Sequence, residues 1–121
     1  MPTILIVDDQ AEVLRIYSRV LEVSGYRVQI AATAEAALKL VEAEPPDAIL
    51  LDLAMPYING MGFLYRLRKG HPRMPAAVIT GLTNLDTAAI QEIGMLDASL
   101  HFKPLTVIEL QAIVDALTRT A

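Results

Sequence analysis

The sequence predicts an α/β protein built on an open parallel sheet with helices on both faces. Short apolar runs alternate with amphipathic segments five times along the 121 residues. The three central runs are almost continuously aliphatic, as is typical of parallel strands that are covered on both faces. Right-handed crossovers between such strands place helices above and below one sheet. The length suits one domain and is too short for two, so we expect a single domain over residues 1–121.

The apolar runs predict five strands of two kinds. Three aliphatic runs form the centre of the sheet: TILIVD (Thr3–Asp8), AILLDL (Ala48–Leu53) and AAVIT (Ala76–Thr80). RVQIA (Arg27–Ala31) alternates apolar with polar residues, and LHF (Leu100–Phe102) is very short. Both features are typical of edge strands, so we expect these two runs at the margins of the sheet.

Helical spacing of apolar residues predicts a helix after each strand. The five helices are expected from about Val13 to Ser24-Gly25, over Ala34–Ala43 behind a Thr33 cap, from Asn59 or Gly60 through Lys69, from Asn84 to near Gly94, and from Thr106 onward. Thr106 and Glu109 have the spacing of a capping box. We expect the last helix to bury Leu110, Ile113, Val114 and Leu117.

Composition excludes several classes of protein. The net charge of -4 argues against a direct nucleic-acid partner. The basic cluster Arg66, Arg68, Lys69, His71 and Arg73 falls at the predicted end of a helix, so we interpret it as a solvated helix end that complements the helix dipole. No apolar run reaches the ~20 residues of a membrane helix, so no membrane insertion is expected. The chain contains no cysteine, which fits a cytoplasmic location.

Polar residues lie at or just after the ends of four predicted strands. They are Asp8 and Asp9, Asp52, Thr80 and Lys103. The carboxyl ends of parallel strands meet at one sheet edge, so we expect these side chains to lie together. Two carboxylates ~4 Å apart repel by about 4 kcal/mol at an effective dielectric near 20. Clustered carboxylates without thiolate or imidazole suit Mg²⁺, which offsets that repulsion and accepts phosphate oxygens.

This set of residues favours phosphoryl chemistry with a carboxylate as the nucleophile. Lys103 and Thr80 would then neutralise and hydrogen-bond the transferred oxygens. Each residue also has an ordinary structural interpretation. Asp9 with Glu12 could cap the first helix, Asp8 or Asp52 could be satisfied by loop amides, Thr80 could form a turn, and Lys103 could be solvated. The occurrence of all of them at one sheet edge favours a site.

These residues carry a resemblance to a known family. The chain is similar over essentially its whole length to the receiver domain of bacterial response regulators, including the chemotaxis regulators. The motifs are the acid pair Asp8-Asp9, the stretch DLAMPYING with Asp52, Met55, Pro56 and Gly60, the strand-ending Thr80, and Lys103-Pro104. The resemblance implies a flavodoxin-like receiver fold with strand order 2-1-3-4-5.

The resemblance also implies roles for individual residues. Asp52 would accept a phosphoryl group from a phosphohistidine of a sensor histidine kinase or histidine phosphotransfer protein. Asp9, Asp52 and the Ala54 carbonyl would bind Mg²⁺ directly, with Asp8 acting mostly through water. Lys103, Thr80 and the backbone of Ala54 and Gly81 would contact the phosphoryl group. The Lys103-Pro104 bond would be cis, and movement of Thr80 would change the face formed by helix 4, strand 5 and helix 5.

Some positions depart from the family pattern. Leu100 occupies the place of the usual switching aromatic residue, and Gly81 stands where alanine is common. Ala54 and Leu82 are apolar where many relatives carry polar side chains that orient the hydrolytic water. We therefore expect a long-lived acyl phosphate on Asp52.

We interpret the chain as a phosphorylatable switch without separate substrate turnover. Three alternatives differ from this interpretation in their chemistry. The first is a phosphorylation-independent interaction module on the same fold. The second is a phosphatase of the haloacid-dehalogenase type, which needs a second acid two residues after the nucleophile. Here Gln10 follows Asp8 and Ala54 follows Asp52 at that spacing. The third, a flavin-binding protein, lacks its phosphate loop. The output would come from a C-terminal domain or a separate effector.

Overall fold

A computed structural model describes residues 1–53, 60–82 and 85–119 of the chain. Strands and helices alternate within these ranges in the predicted order. The strands are β1 (Thr3–Val7), β2 (Arg27–Ala31), β3 (Ala48–Leu51), β4 (Ala76–Thr80) and β5 (Ala98–Phe102). The helices are α1 (Ala11–Val23), α2 (Ala34–Ala43), α3 (Gly60–Gly70), α4 (Thr87–Met95) and α5 (Val107–Thr118).

The strands form one parallel sheet in the order β2-β1-β3-β4-β5. This confirms the predicted α/β fold class and the strand order implied by the resemblance. β2 and β5 lie at the two edges, as their alternating and short sequences predicted. Between them, every residue of β3 and β4 is buried, which explains why those runs are continuously apolar.

Each face of the sheet packs against its own group of helices. One face contributes Leu5, Val7, Ile49, Leu51, Ala76 and Val78 to a core shared with α2, α3 and α4. The other face contributes Ile4, Ile6, Ala48, Leu50, Ala77 and Ile79 to a core shared with α1 and α5. Successive residues of a strand point to opposite faces, so the aliphatic runs supply both cores. Leu117 of α5 is only partly buried, in contrast to the prediction.

The ends of three strands differ from the prediction. β1 ends at Val7 rather than Asp8, and β3 ends at Leu51 rather than Leu53. Asp8 and Asp52 therefore lie just past the last strand residues, where a side chain can turn toward the sheet edge. β5 begins at Ala98 rather than Leu100, because Ala98 and Ser99 already pair with β4. The apolar pattern missed these two residues since the edge strand is only partly covered.

Helix starts were predicted with mixed success. Thr33 accepts a hydrogen bond from the Ala36 amide at 3.1 Å, and Thr106 with Glu109 forms the predicted capping box. α3 begins at Gly60, while the alternative start Asn59 lies outside the described residues. The start predicted for α4 at Asn84, also outside them, is wrong. Leu85 and Asp86 precede the helix, and Asp86 caps it by accepting from the Ala89 amide at 2.8 Å.

The suggestion that Asp9 caps α1 is also wrong. The residue at the cap position is Gln10, and its side chain makes no capping hydrogen bond. Asp9 is exposed and lies one residue before the cap. Its carboxylate therefore lies with those of Asp8 and Asp52 instead of capping the helix.

The basic cluster at the C-terminal end of α3 is solvated only in part. The guanidinium of Arg68 donates to backbone carbonyls at 2.6 to 3.1 Å, so the interpretation as a solvated helix end is wrong for this residue. His71 lies 3.6 Å from a carboxylate oxygen of Glu42 on α2. Among the helices in the described ranges, none combines the length and the apolar character needed to span a bilayer.

Gly60 allows α3 to approach the end of β3 closely. A Cβ atom at this position would lie 2.8 Å from the Leu53 Cα and 2.9 Å from the Asp52 carbonyl oxygen. Both neighbours are backbone atoms, which cannot rotate away. We expect Gly60→Ala to lower the free energy of unfolding by about 1–3 kcal/mol through overpacking, as measured by urea denaturation.

Gly70, the last residue of the same helix, provides the matched control. No described atom lies within 4 Å of the position that its Cβ would occupy. Gly70→Ala is expected to change the free energy of unfolding by less than about 0.5 kcal/mol. Equal losses in the two variants would show that the close approach at Gly60 is not the cause.

Candidate functional site

Three polar residues are buried at the carboxyl edge of the sheet. Asp8 is 3% exposed, Asp52 is 5% exposed and Thr80 is 0% exposed. The Asp8 amide donates to the Ala31 carbonyl at 3.1 Å, and the Asp52 amide donates to the Val7 carbonyl at 2.9 Å. These bonds continue the backbone pairing past the strand ends and fix where both acids leave the sheet.

Lys103 lies between the two buried acids. Its Nζ donates to Asp8 Oδ2 at 2.8 Å and to Asp52 Oδ2 at 3.2 Å, and its side chain is 17% exposed. The Lys103 amide donates to the Thr80 carbonyl at 2.9 Å, so the end of β4 sets the position of the lysine backbone. The Lys103-Pro104 bond is cis, as the resemblance implied. The predicted proximity of Lys103 to Asp8 and Asp52 is therefore confirmed.

Asp9 completes a group of three acids. Carboxylate oxygens of Asp8, Asp9 and Asp52 all lie within 4.8 Å of one another. Asp8 and Asp52 are buried, whereas Asp9 is exposed and faces solvent. The donors are all carboxylate oxygens, and the solvent side can supply water ligands. This chemistry fits Mg²⁺, which takes one or two carboxylates and keeps several waters.

The electrostatics of the site show why a cation is favourable. Burial raises the pKa of Asp8, and the charge of Asp52 raises it further against the hydrogen bonds from Lys103 and Gln10. Burial by itself would lower the pKa of Lys103, but the bonds and charges of the two acids raise it overall. The lysine therefore stays protonated, yet its one ammonium does not fully offset the cost of burying ionised Asp8.

The turn after β4 holds the hydroxyl of the site. Thr80 Oγ1 accepts a hydrogen bond from the Leu82 amide at 3.1 Å, so Thr80 is a turn former as well as a site residue. A Cβ on Gly81 would lie 4.0 Å from the Lys103 side chain, which places this backbone beside the lysine. Leu82 is partly buried against the core. The predicted carbonyl ligand Ala54 lies outside the described residues.

Tyr17 on α1 is a further neighbour of the site, although its helical spacing in the sequence indicates only a core residue. Burial raises the pKa of its hydroxyl, the charge of Lys103 opposes that effect, and Asp8 and Asp52 add to it. The hydroxyl thus lies within electrostatic range of the cluster. Its place on the inner face of the helix that follows Asp8 and Asp9 is the signal that could have indicated this.

The profile of the response regulator receiver domain family matches residues 4–115, which is most of the chain. The chain therefore belongs to the receiver domain family of response regulators, the class that its sheet order and its site of acids, threonine and lysine define. This membership is consistent with two-component signalling.

Two curated relatives illustrate the likeness in sequence. The chain is 35% identical over 119 residues to the transcriptional regulatory protein PrrA of Mycobacterium tuberculosis, covering 98% of this chain and 50% of PrrA. It is 35% identical over 117 residues to the probable transcriptional regulator ycf27 of Porphyridium aerugineum, covering 96% of this chain and 48% of that protein. The chain spans about half the length of these relatives.

Solved structures show the same fold. A response regulator receiver domain protein (CheY-like) from Methanospirillum hungatei JF-1 has a TM-score of 0.88 and 30% identity, with 97% of this chain and 94% of that chain covered. The chemotaxis protein CheY4 of Vibrio cholerae has a TM-score of 0.88 and 25% identity, with 97% of this chain and 98% of that chain covered.

The cost of burying the Asp8 charge gives a test based on stability. In buffer without divalent cations, we expect Asp8→Asn to raise the free energy of unfolding by about 1 kcal/mol at neutral pH, because the amide is neutral. Since the pKa of Asp8 is raised above 3.8 in the folded protein, folding favours the protonated carboxyl. Wild-type stability from this group is greatest below that value and declines as pH rises through the folded-state pKa.

The advantage of Asp8→Asn should therefore be full above the folded-state pKa and disappear as pH falls toward 3.8. Urea denaturation near neutral pH and near the lower value measures it. Asp86→Asn, which keeps a capping side chain at an exposed position, is the control and should change stability by less than about 0.5 kcal/mol. An advantage that is independent of pH would contradict the burial argument.

Proposed function

We propose that this chain is a phosphoryl-accepting switch in a two-component relay, with Asp52 as the acceptor. One observation carries the proposal: Lys103 Nζ lies 2.8 Å from Asp8 and 3.2 Å from Asp52 at the edge of the sheet where Asp9 and Thr80 also end. Joint placement of three acids, an ammonium and a hydroxyl is what transfer of a phosphoryl group to a carboxylate requires.

Each residue of the site would have a separate role in the phosphoryl transfer. A carboxylate oxygen of Asp52 attacks the phosphorus of a phosphohistidine on a partner kinase or phosphotransfer protein. A P–O bond forms as the P–N bond breaks, and the imidazole nitrogen takes up a proton. Lys103 then pairs with the new phosphoryl oxygens instead of the two carboxylates. Thr80 and the amides of Ala54 and Gly81 complete the hydrogen bonding of the charged oxygens.

Mg²⁺ is the proposed cofactor, held by Asp9, Asp52 and the Ala54 carbonyl, with Asp8 mostly through water. When bound, the ion would neutralise the acids and draw phosphate oxygens toward Asp52. Asp8 is suited to the outer position because Lys103 and the Gln10 amide already occupy its oxygens at 2.8 and 2.9 Å.

The proposed output is a change on the face formed by α4, β5 and α5. Thr80 would move toward the phosphoryl group and donate its hydroxyl hydrogen to a phosphoryl oxygen, a donor role that its acceptance from the Leu82 amide leaves open. Leu100 stands where relatives usually carry an aromatic residue, and it packs against the same core as Leu82 and Leu85. An aliphatic residue would thus fill the space behind the moving threonine.

We propose a class of phosphoryl donor and a class of output partner for this chain. The phosphoryl donor would be a sensor histidine kinase or a histidine phosphotransfer protein, in the cytoplasm. The matched relatives are described as transcriptional regulators and extend to about twice the matched length. A C-terminal output domain or a separate effector would therefore receive the signal, while the acidic receiver itself would not contact nucleic acid.

The decisive experiment is incubation of the chain with acetyl phosphate and Mg²⁺, followed by intact mass spectrometry. We expect wild type to gain the mass of one phosphoryl group and Asp52→Ala to gain none, because Asp8, the other carboxylate bonded to Lys103 among the described residues, already accepts from Lys103 and from the Gln10 amide. Peptide mapping of the wild-type product should place the modification on Asp52.

Asp47→Asn is the matched control, since Asp47 is an exposed aspartate at the start of β3, the opposite end of that strand from Asp52. It should be phosphorylated like wild type. If wild type gains no mass with either acetyl phosphate or a phosphorylated histidine donor, the alternative of a phosphorylation-independent interaction module would be favoured. A gain that persists in Asp52→Ala would contradict the assigned acceptor.

The apolar residues near the acceptor predict a slowly hydrolysed acyl phosphate. Leu82→Glu together with Ala54→Asn should shorten the half-life of the phosphorylated chain, by up to about 100-fold, because polar side chains there would orient the attacking water. The decay of the phosphorylated mass after removal of acetyl phosphate measures the half-life. Leu82→Met with Ala54→Ser would serve as a control of similar size without a carboxylate. An unchanged half-life in the Glu-Asn variant would refute this explanation.

A further inference from the structure

Helix α4 contributes one fully buried side chain to the core beneath it. Ile93 is its buried residue, whereas α5 buries Leu110, Ile113 and Val114. The preceding Leu85 and the following Leu96 are only partly buried against the same core. α4 therefore depends more than α5 on polar contacts for its position.

The C-terminal end of α4 is tied to α3 by one guanidinium. Arg68 Nε donates to the Leu96 carbonyl at 2.6 Å, and Nη2 donates to the Asp97 carbonyl at 3.0 Å. Nη1 donates at 3.1 Å to His71 and at 2.7 Å to Met74, whose carbonyls lie in the loop that follows α3. One planar group thus joins the end of α4 to the loop that leads into β4.

The backbone after α4 is shaped to meet this arginine. Asp97 has a φ of 56°, in the left-handed region, and its amide donates to the Gly94 carbonyl at 3.0 Å. The Leu96 amide donates to the Glu92 carbonyl at 3.0 Å. This reversal directs the carbonyls of residues 96 and 97 toward Arg68 instead of toward solvent. Arg68 therefore supplies donors that the end of the helix would otherwise lack.

A second polar contact joins the middle of the two helices, where the Tyr65 hydroxyl donates to Glu92. Tyr65 is exposed, so this single contact is weaker than the four bonds of the half-buried arginine. The described cap at the other end of α4 is internal, from Ala89 to Asp86. The described ties between α3 and α4 therefore lie in the middle and at the C-terminal end of α4.

α5 is fixed in a different way. The Tyr26 hydroxyl donates to Asp115, and the Gln111 amide donates to Ser24 Oγ at 2.8 Å. Both contacts join α5 to the turn between α1 and β2, on the side of the sheet away from α4. α5 is thus held by its buried residues and by polar contacts to elements that do not follow Thr80.

We propose that Arg68 is the fixed point of the switch: it holds the C-terminal end of α4 to α3, so that activation displaces the N-terminal half of α4 about that end while α5 stays in place. The displacement begins at the segment after Thr80, seven residues before α4 starts at Thr87. This inference rests on the proposed function for its trigger. Arg68 acts through α4 and is a positioning residue.

Hydrogen exchange of single amides, followed by NMR on the full chain, tests the proposal. The Ala89 and Ile90 amides report on the N-terminal end of α4, and the Leu96 and Asp97 amides report on its C-terminal end. In wild type, Mg²⁺ with beryllofluoride, a phosphoryl analogue, should change exchange at the first pair and leave the second pair and the α5 amides unchanged.

Arg68→Lys keeps the charge but cannot reach four carbonyls at once. Without any analogue, exchange at Leu96 and Asp97 should rise by about tenfold or more in this variant. With the analogue, the change should spread from the N-terminal end to the whole of α4. A merely structural arginine would raise exchange without altering where the analogue acts, so the spread is the distinguishing result.

Arg66→Lys, the same substitution at an exposed position on α3, is the matched control and should behave like wild type. Amides of β1 report on global unfolding and should exchange alike in all three proteins. The proposal that Arg68 is the fixed point is overturned if the analogue changes exchange equally at both ends of wild-type α4. It is also overturned if Arg68→Lys leaves exchange of the Leu96 and Asp97 amides unchanged. Absence of any effect of the analogue, with no phosphorylation of Asp52 by mass, would instead remove the proposed function and the displacement with it.

Discussion

The arrangement of the site depends on one half-buried ammonium shared between two buried carboxylates. Lys103 reaches Asp8 and Asp52 from the far side of β4, so it joins residues from three strand ends. Separated from water, the two acids would repel strongly, and the lysine reduces this repulsion without removing it. The residual unfavourable energy makes the site receptive to a further cation, which is the physical basis of its proposed chemistry.

Much of this arrangement could be predicted because it follows from strand order. Continuous aliphatic runs identified the central strands, and the rule that parallel strands end at one edge brought Asp8, Asp52 and Thr80 together. The caps at Thr33 and Thr106 were readable because a side-chain acceptor and its amide lie three residues apart. The caps are local signals and the shared sheet edge follows from topology, so both can be inferred from the order of residues in the sequence.

The parts that the sequence did not reveal depend on contacts between distant segments. Arg68 looked like one of several solvated cations, because nothing local shows that its guanidinium meets carbonyls beyond α4. The start of α4 was misplaced because Asn84 and Asp86 are both good capping residues, and only packing selects between them. Tyr17 matched the helical spacing of a core residue, which hid its proximity to the charged cluster.

The ends of β1 and β3 have a consequence for how such a domain can evolve. The carboxylates of Asp8 and Asp52 take no part in the pairing of the strands, whereas the backbone amides of the two residues donate to the Ala31 and Val7 carbonyls. Any residue other than proline preserves those amides. The scaffold and the proposed reactivity are therefore separable by mutation, so a lineage could lose the proposed phosphoryl acceptance, or tune its lifetime, without giving up the architecture.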